Sequence, residues 1–236
     1  MSMIQRVRQG AVAGAVALAA MTAFATPAQA WWGTDHAYRT KINLNTSAAG
    51  VTGEVARAPV LVRLHQGNFN FADAKPDGSD LRFVAGDDRT PLKFHVESWN
   101  PQAQQALVWV DVQGLQPGQA AAIYAYYGNK EAAAAQDAAG SFAPDYALVY
   151  HFEGSGPAKD VTSNGVQGGG AATRNASGLI GNSLVLDGAT PLSVPAAAFT
   201  AGPPSLRFLV KDTSVSDETG SPVATLTTTI VVRKSA

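Results

Sequence analysis

Three aspartates near one turn are the side chains best suited to holding a metal ion. Asp73, Asp77 and Asp80 lie close together in the segment Lys-Pro-Asp-Gly-Ser-Asp and just before it. Carboxylate and backbone oxygens around a tight turn are the ligands that calcium prefers. Asp-Gly turns also form for conformational reasons, because glycine accepts positive φ and aspartate accepts local hydrogen bonds. The sequence therefore leaves open a calcium site or a turn without metal, and indicates no other cofactor.

Aromatic rings form a second set of candidates, because a flat ring with a polar edge can stack on a sugar face while keeping contact with water. Trp99 alternates outward on a predicted strand and is expected to be exposed, whereas Trp109 in the run Leu-Val-Trp-Val is expected in the core. Burial in the core is the alternative for every ring in this set. The candidate ligand-binding residues are Trp99, Trp31, Trp32 and Tyr126.

A catalytic constellation is not recognisable in the sequence. The G-x-S-x-G motif of many serine hydrolases is absent from the sequence. The glycine-rich stretch 165–170 lacks the Lys-Ser/Thr of a phosphate-binding loop. Retaining glycosidases need two carboxyl groups about 5–5.5 Å apart, yet Glu97 and Glu153 are isolated in the sequence. Alternation places His95 with Glu97 on one strand face, which reads as exposed and polar. We therefore expect a protein without enzymatic activity. The four histidines are each expected to be structural: His36, His65, His95 and His151.

Composition narrows the function classes further. The chain has 236 residues, 17 basic against 18 acidic, and no cysteine. The lack of cysteine excludes a disulfide scaffold, a cysteine-ligated metal and a thiol nucleophile. The near-neutral charge argues against a nucleic-acid partner, which would need a basic face.

The first thirty residues have the pattern of a secretory signal peptide. Arg6 and Arg8 precede an apolar stretch over residues 11–25, and Ala28-Gln29-Ala30 forms a cleavage signal. The apolar stretch is shorter than the roughly 20 residues of a spanning helix; an uncleaved anchor is the alternative. No later stretch is long and apolar enough to span a membrane. We expect cleavage between Ala30 and Trp31 and a periplasmic or extracellular product.

The rest of the chain predicts an all-β protein of two modules. Short strands punctuated by turns over residues 31–130 indicate an antiparallel β-sandwich. Residues 131–144 are alanine-rich and read as a linker, and residues 145–202 read as a second, truncated jelly-roll-like module. Residues 203–236 form an atypical β-hairpin tail with a long polar connection. This tail is expected either to complete an abbreviated sandwich or to be a truncated or frame-shifted end.

Several strings of residues 31–130 occur in an order that resembles a bacterial family, the domain of unknown function 2341. They are YRTKINL, APVLVRLHQGNFNF, KPDGSDLRFV, PLKFHVESW, ALVWVDV and AIYAYYGN. The resemblance implies a β-rich domain and no particular activity.

The second module resembles the start of a concanavalin A-like, laminin-G-type domain. The strings that carry this resemblance are ALVYHFEG, KDVTSNG, GLIGNSLVLDG and LSVP. Modules of this pair also occur in proteins associated with TolQ/ExbB-type proton channels. Together with the signal-peptide pattern and the missing catalytic set, the resemblances favour an exported, non-catalytic binding protein for a glycan or another envelope component. The alternative is a structural or sensory domain of such a channel complex, and a glycoside hydrolase is the least favoured possibility.

Overall fold

The structure of the chain is a computed structural model. Trp31 and the expected signal peptide lie outside the residues that the structure describes. Within the described residues, no helix is both long and apolar enough to cross a membrane. The described residues are 32–142, 146–170, 173–175, 181–185, 192–195, 205–207, 225–227 and 230–233.

Seven strands form two antiparallel sheets in the first part of the chain. One sheet has the order β1-β7-β3-β4 and the other β2-β6-β5. The predicted all-β class and antiparallel sandwich are confirmed. The strands are β1 (Tyr38–Asn45), β2 (Val55–His65), β3 (Arg82–Ala85), β4 (Pro91–Leu92), β5 (Phe94–Asn100), β6 (Gln105–Leu115) and β7 (Ala120–Tyr127).

The core lies between these two sheets and follows the two-residue period of the strands. On β6, Val108 and Val110 are fully buried, whereas Leu107 and Trp109 on the other face are half-buried. Phe83 and Ile123 of the facing sheet belong to the same buried cluster. Each such side chain contributes about 1.5–3 kcal/mol when buried from water, so this core supplies stability that cannot come from disulfides.

A β-bulge interrupts β5. Val96 pairs with Val108 on β6, but the next pair is Ser98 with Leu107, so Glu97 is the extra residue. An extra residue reverses the inward–outward alternation beyond it. As a result Trp99, opposite the buried Ala106, shares the core-facing side with Val96.

The segment predicted as a linker lies along the outer edge of β5. Asp137 N–H donates to the carbonyl of Phe94 over 2.8 Å, and Gln136 Oε1 accepts the Val96 N–H over 3.2 Å. A 3₁₀ turn at Ala139–Ser141 follows. These contacts satisfy polar groups that an edge strand leaves unpaired.

The remaining described strands form two three-stranded sheets, of order β11-β13-β8 and β12-β10-β9. The two runs predicted as a hairpin in the tail are therefore neighbours as β11 and β13, and β13 also pairs with β8. The strands are β8 (Tyr146–Tyr150), β9 (Thr173–Asn175), β10 (Ser183–Val185), β11 (Ser205–Arg207), β12 (Thr225–Thr227) and β13 (Ile230–Arg233).

Two leucines on β2 test the assignment of the core. Leu64 is fully buried in the cluster between the sheets, whereas Leu61 on the opposite face is half-buried. We expect Leu64→Ala to lower the free energy of unfolding by about 2–5 kcal/mol, because it leaves a cavity. Leu61→Ala is the matched control and should cost clearly less in the same urea titration. Equal losses would contradict the placement of the core.

Candidate binding site

Buried polar side chains lie on the outer face of β5, where an exposed polar face was expected. His95 is 8% exposed and Glu97 5% exposed, so the expected exposure of this face is wrong. The reason is tertiary: His151, which follows β8, lies over both residues. Its ring stacks on His95 at 5.1 Å between centroids and lies 6.0 Å from the Trp109 ring. Two distant parts of the chain therefore meet at this cluster.

Glu97 is the centre of this cluster. Its Oε2 accepts the Trp109 indole N–H over 2.5 Å and lies 3.2 Å from His151 Nδ1. Its Oε1 is buried and accepts no hydrogen bond. Gly181, with φ of +59°, packs so closely over Oε1 that a Cβ at this position would collide with it. A buried carboxylate with one oxygen unpaired is costly, so Glu97 is held in place by the packing of the cluster around it.

Burial has a large effect on His95. Burial and the neighbouring His151 together lower the pKa of His95 to about 4, against the smaller opposing effects of Glu97 and Gln136. His95 is therefore neutral at physiological pH. The imidazole then packs as a flat, uncharged ring against His151.

A groove beside the bulge combines this carboxylate with an aromatic ring. It has a volume of about 390 Å³ and is lined by the turn 77–79, by β5 residues 94 and 96–99, by residues 134–136 and by Glu153. We call it the Trp99 groove. Volumes of about 300–1,000 Å³ are typical of small-molecule sites. The larger opening at the end of the sandwich, about 460 Å³, has no aromatic residue in its lining.

Trp99 is half-buried in the wall of this groove, and not the fully exposed ring expected from strand alternation. Its ring contacts Phe71 at 5.1 Å and Phe69 at 5.9 Å between centroids. Its indole N–H donates to the carbonyl of Pro76 over 2.9 Å. Gly78 lies against the ring with φ of +67°, and a Cβ there would come within 2.8 Å of it. The ring is thus fixed before any ligand binds.

Two solvent-accessible carboxylates accompany Trp99. Asp77 is exposed, and hydrogen bonds from Ser79 hold its pKa below the usual value, so it is ionised at neutral pH. Partial burial raises the pKa of Glu153, and the nearby Glu97 adds to this rise against the opposing effect of His151. The groove therefore carries carboxyl groups with different affinities for protons, and Gln136 adds an amide.

The three aspartates proposed for calcium are engaged by different partners. Asp80 is fully buried and accepts the backbone N–H groups of Lys75 and Gly128 over 3.0 and 2.7 Å. Asp73 accepts the side-chain amide of Asn70 over 2.6 Å. Among the described residues, no group of three or more His, Cys, Asp or Glu side chains is placed to hold a metal. The structure thus brings Asp77 into the Trp99 groove but does not gather the three carboxylates.

Two further aromatic candidates, Trp32 and Tyr126, lie outside the lining of the groove. Tyr126 is fully buried, and its hydroxyl donates to Asp88 Oδ1 over 2.5 Å and accepts the N–H of Trp32 over 3.0 Å. Arg39 also pairs with Asp88. The rings of Trp32 and Tyr126 meet edge-on at 5.7 Å. These contacts fasten the start of the described chain to the first sheet, and Trp31 lies outside the described residues.

Sequence reasoning missed Glu97, Glu153 and Gln136 as neighbours in one groove. They lie on β5, on the segment after β8, and on the predicted linker, so no local spacing connects them. The available signal was the run His-Val-Glu-Ser-Trp, where two polar residues precede a tryptophan. Without the bulge, alternation assigns Glu97 and Trp99 to one exposed face.

Comparison with known proteins finds one family model that resembles part of the chain. A family model described as Domain of unknown function (DUF2341) matches residues 77–159. This supports the resemblance for the first domain, although the match starts and ends later than residues 31–130. It contains the complete lining of the Trp99 groove and the cluster around Glu97. No curated protein and no solved structure matches the chain significantly.

Asp80 provides a test of structural support against metal binding. Asp80→Ala should lower the free energy of unfolding by about 3 kcal/mol or more, since it leaves two buried N–H groups without their charged acceptor. Asp77→Ala, an exposed residue of the same turn, should cost less than about 1 kcal/mol. A rise in Tm on adding calcium to the native protein, lost in Asp80→Ala, would contradict the structural role and favour a metal.

His95 predicts a loss of stability in acid. Its pKa is about 4 when folded against about 6.5 when unfolded, so the unfolded chain binds more protons between these values. The His95 contribution to the free energy of unfolding should fall as pH decreases from about 6.5 to about 4, by up to about 3 kcal/mol. Urea titrations across this range should show a flatter dependence for His95→Gln. If the free energy of unfolding depends on pH equally in the native protein and in His95→Gln, folding does not lower the pKa of His95.

Proposed function

We propose that the mature chain is an exported, non-catalytic binding protein that holds a glycan, or another envelope component with sugar-like chemistry, in the Trp99 groove. The supporting observation is the arrangement of that groove. A half-buried indole is fixed by Gly78 and Pro76 beside the carboxylate of Asp77 and the amide of Gln136. A ring that stacks on a sugar face beside side chains that hydrogen-bond to hydroxyl groups is the chemistry that saccharide recognition requires.

Binding without turnover fits the position of Glu97. The groove contains two glutamates, as hydrolysis by paired carboxylates would require. The Glu97 side chain is only 1% exposed, however, and its Oε2 is engaged by Trp109 and His151. A carboxylate held in this way is poorly placed to attack a sugar carbon or to activate a water molecule. Glycoside hydrolysis is therefore an outcome that the binding experiment must test.

The proposed location and architecture rest on the sequence. The signal-peptide pattern supports export to the periplasm or beyond, and the resemblance of residues 145–202 to a concanavalin A-like, laminin-G-type domain supports carbohydrate binding by analogy. The alternative, a structural or sensory domain of a TolQ/ExbB-type complex, rests on the same resemblances. The groove favours the first proposal because a docking domain does not need a small-molecule cavity.

Glycan-array binding of the mature chain tests this function. Trp99→Ala should weaken binding by about tenfold or more through loss of the stacked ring. Gln136→Ala should also weaken it without removing core packing. Tyr38→Ala is the matched control, because Tyr38 is an exposed aromatic residue outside the groove, and its removal should leave binding unchanged.

Two results would overturn the proposal. One is glycan binding that survives both Trp99→Ala and Gln136→Ala in folded protein, as judged by circular dichroism. The other is release of reducing ends from a bound oligosaccharide that stops in Glu153→Gln, since this would identify the protein as a hydrolase.

A further inference from the structure

Two stacked imidazole rings form the centre of the contact between the first sandwich and the segment after β8. His95 on β5 is 8% exposed and His151 is 2% exposed, and their ring planes are 26° apart. Trp109 and Phe142 also pack on the His151 ring, with centroids at 6.0 and 6.1 Å. Histidine is the side chain whose charge ordinarily changes between pH 5 and 8. This contact is therefore built around groups that acid can charge.

A proton on His95 opposes the contact. It would place a positive charge against the His151 ring in a position that water does not reach, and such a charge is costly. Burial and the adjacent His151 accordingly lower the pKa of His95 to about 4. If the segment after β8 withdraws, the ring regains water and its ordinary pKa of about 6.5. The withdrawn form thus binds more protons between these values, and acid favours it.

The neighbouring polar groups do not reverse this sign. Glu97 and Gln136 raise the pKa of His95, but by less than the opposing effects lower it. Burial and Glu97 raise the pKa of Glu153, so protonation of Glu153 favours the closed contact as pH falls. Glu153 is exposed, however, and solvent screens its charge.

Two ion pairs lie on the same elements as the rings. Asp111 on β6 binds Arg57, and Asp137 beside β5 binds Lys93. The Gly140 N–H and Lys93 hold the pKa of Asp137 below its usual value, so that pair keeps its charge between pH 7 and pH 5. His95 is therefore the group that couples this contact to pH.

The two sides of the contact have separate hydrophobic cores. Within the described residues, the cluster between the two sheets draws on residues 42–127, and the cluster around β8 draws on residues 147–194. Most of the stability of a domain comes from apolar side chains buried in its core. Loss of the histidine contact therefore leaves both cores in place.

We propose that this contact is an acid-sensitive switch, in which protonation of His95 releases the segment after β8 from the outer face of β5 while the first sandwich stays folded. The packing of Gly181 on Glu97 opens with it. Glu153 belongs to the released segment, so release also removes Glu153 from the lining of the Trp99 groove. The switch does not depend on whether that groove binds a glycan.

Hydrogen exchange at two indoles distinguishes release from unfolding. The Trp109 N–H donates to Glu97 beneath His151, whereas the Trp99 N–H donates to Pro76 within the first sandwich. NMR at pH 7 and pH 5, corrected for the intrinsic pH dependence of exchange, follows both. Opening seen by Trp109 should rise about 20-fold, as a pKa of about 4 when closed and about 6.5 when open requires. Opening seen by Trp99 should stay unchanged.

Removal of the titrating ring tests the role of His95. His95→Phe keeps a flat ring for the stack but cannot take up a proton, so the rise at Trp109 should be lost. His95→Gln also removes the titration and serves if the larger ring disturbs the fold. His65→Phe is the matched control, because His65 is a half-buried histidine at the end of β2, outside the contact. It should keep the full rise.

Three outcomes would overturn this inference. Equal acceleration at Trp99 and Trp109 would show general unfolding in place of release. A rise at Trp109 that persists in both His95→Phe and His95→Gln would assign the pH dependence to another group. Unchanged exchange at Trp109 in the native protein would show that acid does not open the contact. None of these results bears on glycan binding, which the array tests separately.

Discussion

The bulge in β5 is the constraint on which the Trp99 groove depends. By inserting Glu97 between Val96 and Ser98, it breaks the two-residue period of the strand. His95 remains on the outer face, where His151 covers it, whereas Trp99 moves to the core-facing side and packs on Phe69 and Phe71. A strand without the bulge would place His95 and Trp99 on the same face. The groove exists because the two faces exchange at this residue.

The burial of Glu97 links parts of the chain that are far apart. A carboxylate removed from water needs partners: the Trp109 indole N–H on β6 donates to its Oε2, and His151 Nδ1 after β8 lies 3.2 Å from the same oxygen. Gly181 packs against the remaining oxygen, Oε1. Only glycine fits there, because a Cβ at this position would collide with the oxygen. The contact between the first sandwich and the segment after β8 is therefore polar at its centre. Aromatic and imidazole rings surround that centre and keep water away from it.

The groove inherits its chemistry from this arrangement. Its lining contains Trp99, held in one orientation, the buried Glu97 and the exposed acids Asp77 and Glu153. A side chain that is already fixed loses little conformational entropy when a ligand binds. Glu97 is not a mobile nucleophile because its Oε2 is already engaged, and for this reason we propose binding without turnover.

The all-β class and the antiparallel sandwich were predictable from sequence, because turn residues and alternating apolar residues mark strands locally. The position of Trp109 shows the limit of this reasoning: its apolar run predicted the core, yet it lies half-buried on the outer face beneath His151. Asp80 looked like a metal ligand because its sequence neighbours are acidic, and only the fold supplied the N–H groups of Lys75 and Gly128 that it accepts. Sequence spacing could not bring together Glu97, Gln136 and Glu153, because they lie on three separate segments. The sequence alone determined which segments become strands, since that depends on local periodicity; the tertiary structure decided which polar side chains share a site, since that depends on one inserted residue and on contacts between distant segments.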